Sequence, residues 1–450
     1  MELSSNNRII RVFYLFTILL FLSGMLWGLI GAAQYLMPDF LKETLSFAKI
    51  RPLHVSSEVF WIVMTAVLST FVFLREHTGQ EIKGKRWFNG AFIILSITVC
   101  CIVVSYIMGI FGGREYWEFN PWFALPILCC WIVFMVVFIR SVVRFRRQPV
   151  YIWMWLTGFI FFLFTYLESN LWLIPYFRSN IVNDMTVQWK SYGSLVGSWN
   201  MLIYGSSIYL MDKISGTRRY SFSAIGFGLY FLGLFNLMFN WGHHIYTLPT
   251  HAWVRHISYI VSMTELILLF RIINQWKKSL DTSLKNFHYL PYRFLMAADI
   301  WILLTLILAI AMSIPAINIY THGTHITVAH TMGATIGINS FLLLAFSFEI
   351  LKESSIPLRI SRRFNPIFWI TQLALFTFWI GLIGAGVMRS LWQMSPPGEP
   401  FSTMTISLRP WFIVFFVAGC VLFTGLLSLL FPLLRHQLQC IIKSTNSDKI

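Results

Sequence analysis

The stretch THGTHITVAHTMGATIGIN (residues 321–339) sets three histidines, His322, His325 and His330, at the head of a segment otherwise suited to a membrane interior. Ionisable side chains inside a bilayer are costly, so each is a functional candidate by default. At about 100° per residue, a helix turns His330 and Met332 roughly 200° apart. One such helix could serve two planar cofactors, one on each flank. His325 and Met332, seven residues apart, share a face. Imidazole and thioether are both common axial ligands of heme iron.

The rest of the chain agrees with a membrane setting. Of its 450 residues, 57% are hydrophobic and only 12% are charged, with a mean hydropathy of +0.68. A soluble domain carries about 25% charged residues. Apolar runs of about 20 residues, long enough to cross a bilayer as helix, recur throughout. We read twelve spans, at 8–37, 53–74, 88–111, 121–141, 151–175, 190–211, 222–246, 251–273, 295–317, 321–350, 366–389 and 409–434. The expected architecture is an all-α polytopic membrane protein, with residues 1–450 forming one integral-membrane domain embedded in lipid.

The net charge of +16 invites a nucleic-acid partner, but its distribution argues against one. Nine basic residues fall on one side of the twelve-span arrangement: Lys42, Lys49, Arg51, Arg114, Arg178, Lys190, Arg255, Arg389 and Arg409. The other 25 lie on the side of the two termini. That is the positive-inside bias, which places both termini in the cytoplasm. The first span, though preceded by Arg8 and Arg11, is too long for a signal peptide and has no small-residue cleavage site. The six cysteines form no CxxC or CxxCH, which excludes a thiol zinc site and covalent c-type heme.

With this topology, histidines from remote parts of the chain reach one level. His54 opens the second span, which runs inward. His243 and His244 close the seventh, which runs outward, and His322, His325 and His330 open the tenth. All gather in the outer half of the bilayer. Taken singly, an intramembrane histidine is as often a helix-packing residue as a ligand, and Met332 alone would be core filler. Their common depth points to metal or heme. A transporter with histidines lining its path remains the alternative from residues alone.

The motifs THGTHITVAH (321–330), GHH (242–244), RPLH (51–54), GREYWEF (113–119) and SMTE (262–265) together resemble the catalytic subunit of cytochrome c-dependent nitric oxide reductases, in the heme-copper oxidase superfamily. The resemblance covers the whole chain. It implies a twelve-helix bundle holding a low-spin heme b, a high-spin heme b3 and a non-heme iron facing the latter. Residue by residue, it makes His54 an axial ligand of the low-spin heme and His330 the proximal ligand of the high-spin heme. His243 and His244 become metal ligands, and Glu265 a proton-delivery or metal-tuning group. Glu115 and Glu118 would lie near heme propionates, a bound calcium ion or the proton entrance. His322 is expected to meet propionates or water.

The sequence departs from this family at two places. Where the family has AHxH in the tenth helix, this chain has AHTM, so Met332 stands for the second low-spin ligand. In the sixth helix, SYGSLVGSWN (191–200) sets Tyr192 at the family's histidine, Val196 at its glutamate and Asn200 after the tryptophan. Either His243 and His244 hold the metal with a substitute such as Tyr192 or Glu265, or the position is empty. The expected activity is reduction of NO to N₂O in the inner membrane of a bacterium, the site facing the periplasmic half. A cytochrome c subunit would donate the electrons. The second expectation is a relative that binds or senses NO or O₂ without turnover.

Overall fold

The computed structural model describes residues 8–262, 264–352, 363–395 and 399–447. Eleven helical spans among the described residues are long and apolar enough to cross a membrane. They include α1 (Arg8–Leu36), α2 (Phe47–Thr78), α3 (Lys85–Ile107), α4 (Pro121–Ser141) and α5 (Val150–Glu168). The sixth expected span is α6 (Ile181–Ser215), a continuous 35-residue helix that falls outside those eleven. Its sequence explains this: Asn183, Asp184, Gln188, Lys190 and a series of serines dilute the apolar positions. After it come α7 (Ala224–Ile245), α8 in two stretches (Ala252–Val261 and Glu265–Ser279), α9 (Tyr289–Ser313), α10 (His325–Lys352), α11 (Phe364–Met394) and α12 (Phe401–Ser447). At 47 residues, α12 extends well past the expected 409–434, with Pro410 and Pro432 inside it.

Capping chemistry fixes several of these boundaries. Asn180 accepts from the backbone N–H groups of Val182 and Asn183 at the start of α6, and Ser223 accepts from Gly226 at the start of α7. Such caps satisfy donors that the first helical turn leaves without partners. Gly79 and Gly216 close α2 and α6 in the left-handed conformation, at φ 64° and 65°. Glycine enters that region without steric cost.

Consecutive helices pack beside one another around the bundle, α1 along α2, α5 along α6 and α11 along α12, and α12 returns to α1. Every fourth helix breaks this pattern: α2, α6 and α10 touch one another at the centre. Burial agrees, because the apolar windows of α2 and α10 are 83% and 89% buried, against 28% for α7. Polar bridges tie the three central helices at two levels. At mid-depth, the Trp61 indole donates to Ser340 Oγ (3.0 Å) and Asn339 Nδ2 donates to Asn200 Oδ1 (3.1 Å). Near the C-terminal ends of the three helices, Lys213 of α6 lies between Glu76 of α2 (3.1 Å) and Glu349 of α10 (3.7 Å). Removing one member of such a half-buried network leaves an unmatched charge, which is the costly case.

The π-helical stretch Gly333–Ser340 interrupts α10 immediately after Met332. Such wide turns are rare and concentrate at functional sites.

Candidate heme and metal site

His54 sits about two turns inside α2 and leans on α1. Its Nδ1 donates to the Gly24 carbonyl (2.8 Å). A carbonyl only accepts, so this tautomer leaves Nε2 with a free lone pair, as a metal ligand needs. Gly28, one turn further along α1, makes room for the ring: a Cβ there would lie 2.9 Å from His54 Nδ1. The carboxyl of Glu58, four residues after His54, is pressed against Gly24, and its Oε1 is buried without a partner. Sequence reasoning passed over Glu58, although an intramembrane acid one turn from a candidate ligand was a legible signal.

Met332 and His330 lie in the α-helical part of α10, His325–Met332, so their angular separation of about 200° holds. His325 shows which flank is which. Its ring packs 5.9 Å from Tyr35 of α1 and 5.2 Å from Phe412 of α12. Met332 shares that face, so it turns toward the α1 side, where His54 also leans. His330 turns the other way, within electrostatic reach of His243 and His244. Its Nδ1 is buried and has no partner. Both histidines and Met332 stay partly accessible on helices that are otherwise enclosed, as residues lining internal space do. These features fit planar metal cofactors on opposite flanks of α10.

The C-terminal end of α7 tightens into the 3₁₀ turn Asn240–Ile245, which carries both histidines of GHH. His243 and His244 have ring centroids 4.1 Å apart, and the Trp189 ring of α6 stacks on His244 at 4.8 Å. His243 Nδ1 is buried without a partner. Among the described residues, no three His, Cys, Asp or Glu side chains already stand as a metal site requires.

The proposed substitutes on α6 and α8 are placed differently. Tyr192 is buried, and its ring meets Tyr116 edge-on at 5.4 Å, on the side of the 113–119 loop. Val196, on the same face, is 39% exposed and offers no ligand atom. Glu265 is buried between α7 and α8. Its Oε1 accepts from Asn236 Nδ2 (2.6 Å), while Oε2 has no partner. Asn236, an amide in the middle of an apolar helix, is a second residue that the sequence reading missed.

The 113–119 loop is built around Gly113, whose added Cβ would collide with the Trp117 carbonyl, and Tyr116, held at φ 70°. The fold brings Glu115 and Glu118 together around one guanidinium. Arg51 Nη1 donates to Glu118 (3.1 Å) and Nη2 pairs with Glu115. One guanidinium thus serves both carboxylates named for calcium, propionates or proton entrance, and Glu118 Oε2 is buried without a partner. Burial pushes the Glu118 carboxyl above the ordinary carboxylate range, against the pull of backbone N–H groups and Arg51.

Residues 8–434 match the family model for cytochrome c and quinol oxidase polypeptide I, and the chain belongs to that family. It is therefore a multi-pass heme-copper oxidase subunit I-like membrane protein, in a family of heme-binding oxidoreductases. It is 20% identical to a nitric oxide reductase subunit of Stutzerimonas stutzeri, over 95% of this chain and 94% of that one. A cbb3-type cytochrome c oxidase subunit of the same organism is 22% identical, over 94% and 93%. The fold is similar to the cryo-EM structure of a heme-copper terminal oxidase dimer, with a TM-score of 0.74 at 15% identity, covering 98% of this chain and 84% of that one.

Proposed function

We propose that this chain is a nitric oxide reductase-like enzyme of a bacterial inner membrane, its site in the periplasmic half. A cytochrome c subunit would supply the electrons for NO reduction, with a low-spin heme b and a high-spin heme b3 as the groups the chain would hold. The balance is two NO, two electrons and two protons giving N₂O and water. When bound, the hemes supply electron transfer and gas binding. The residues present on the two flanks of α10 fit them.

In this reading His54 and Met332 hold the low-spin group, and His330 holds the high-spin one. The hydrogen bond to Gly24 fixes the His54 ring plane and tautomer. His243 and His244 face the reacting gas. Glu265 keeps one carboxyl oxygen on Asn236 and the other without a partner, as suits a group that carries a proton to a buried site. The observation that carries the reading is the split of α10 into two flanks: Met332 toward the His54 side, His330 toward the GHH turn.

A second reading has one observation in its favour. Tyr192 packs on Tyr116 and Val196 carries no donor, so the helix that supplies the family's remaining metal ligands supplies none here. A heme protein that binds NO or O₂ without turnover would tolerate that change. The purified protein decides between the two. N₂O formation under electron supply, lost in His330→Ala together with the high-spin heme spectrum, supports the enzyme. Two b-type hemes with NO binding and no N₂O support the binder. A colourless, iron-free preparation refutes both.

A further inference from the structure

The ligands missing from α6 raise the question of what else reaches His243 and His244. We propose that His322 completes a three-histidine site with them for a divalent first-row metal, the third imidazole coming from the lead-in to α10 in place of α6. From the sequence alone, propionates or water are the expected neighbours of His322.

The placement of His322 is specified by its surroundings. The short helix Pro315–Thr321 ends at His322, whose N–H returns to the Asn318 carbonyl (2.8 Å). Gly323 then turns the chain at φ 73°, and Thr324 caps the start of α10. Asn318 Nδ2 donates to the His243 carbonyl (3.2 Å), which fastens this lead-in to the GHH turn. Trp189 closes the remaining side, stacked on His244 and 5.9 Å from His322. Thus α6 contributes a wall to this corner, and the lead-in contributes the imidazole.

The separations fit ligands better than hydrogen-bond partners. His244 Nδ1 and His322 Nε2 are 3.4 Å apart. A good N–H hydrogen bond is nearer 2.9–3.0 Å. Two imidazole nitrogens about 2.0–2.1 Å from one tetrahedral metal stand roughly 3.4 Å apart. The ring centroids of such ligands are about 5 Å apart by the same geometry. The observed values, 4.1 Å for His243–His244 and 5.6 Å for His244–His322, bracket that distance. The third nitrogen comes from His243, whose Nδ1 is buried without a partner beside the His244 ring. Three neutral imidazoles without a carboxylate suit iron, copper or zinc and discriminate against magnesium and calcium.

The test measures metal per chain in the full-length, heme-loaded protein, before and after equilibration with Fe(II) or Zn(II). Wild type should retain one non-heme metal per chain. His322→Ala and the size-preserving His322→Gln should weaken retention at least about tenfold while both heme spectra remain, which also reports intact folding. Unchanged metal retention in the two variants overturns the proposal. So does loss of the high-spin heme with the metal kept, which would return His322 to a propionate role. A wild-type protein that takes up no metal overturns it as well. The result is separable from the enzymatic reading: zinc bound through His322 in a protein that makes no N₂O leaves this site standing.

Discussion

Gly28→Ala is a one-carbon test of the low-spin site. The added methyl would lie 2.9 Å from His54 Nδ1 and 3.0 Å from Cε1, about half an ångström inside ordinary contact. The ring cannot retreat freely, because its Nδ1 is tied to Gly24 on the same helix. Overpacking of this kind costs about 1–3 kcal/mol, and losing the Gly24 hydrogen bond adds about 1 kcal/mol. The gain from replacing a helical glycine by alanine offsets about 1 kcal/mol. The balance, about 1–3 kcal/mol, falls on ligand geometry and corresponds to roughly 5- to 150-fold weaker low-spin heme retention. Heme content and a redox-resolved optical spectrum of the purified variant measure it. The low-spin bands should fall and the high-spin bands stay. Gly90→Ala, at a position with no atom within 4 Å of the new methyl, is the control and should change nothing. Equal low-spin heme in Gly28→Ala and wild type would refute the placement of His54.

Two further outcomes follow from the same geometry. Met332→His replaces sulfur by nitrogen on the low-spin flank and should lower that heme's potential, since methionine ligation raises it; an unmoved potential in a redox titration would mean that the thioether is not bound. Arg51→Ala strips the shared cation from Glu115 and Glu118. The Glu118 carboxyl is already raised by burial, so its contribution to stability is full below the ordinary carboxyl range and is lost as pH rises through the raised value. Without Arg51 the loss deepens, so the apparent Tm should drop more at pH 8 than at pH 5, and an equal drop at both would refute it.

The architecture was legible because a bilayer imposes one rule on every span: backbone groups must be satisfied within the helix. That rule, with the positive-inside bias, is enough to bring His54, the GHH pair and the tenth-helix histidines to one level. The polar α6 was readable as a span from its place in the topology, although its composition falls short. Other features depended on packing, which periodicity does not encode. The π-turn after Met332 and the amide pair Asn200–Asn339 arise where three central helices meet. Tyr192 sits at a ligand position in the alignment, yet it packs on Tyr116 because the 113–119 loop folds over that end of α6. The setting of His322 is likewise not encoded in periodicity: the turn at Gly323 follows it, and its ring comes beside His244 of α7.

The losses on α6 also change the charge around the GHH turn. Tyr192, Val196 and Asn200 are all neutral, and His243, His244 and His322 are neutral ligands, so a divalent ion there brings two positive charges with no anion among its donors. Uncompensated charge in a low-dielectric interior is costly. Glu265 is the buried acid placed to offset it. Asn236, which holds its carboxyl, lies seven residues before His243 on α7, or roughly 10 Å along the axis. A carboxylate that far from a divalent ion contributes up to about 3 kcal/mol at an effective dielectric near 20. Glu265→Gln should therefore weaken metal binding by up to about two orders of magnitude without removing a ligand. Zinc titration of the heme-loaded variant reads this directly, and retained heme spectra show that the bundle is intact. If Glu265→Gln binds zinc as wild type does, the charge at the GHH turn is balanced elsewhere and Glu265 has no electrostatic part in the site.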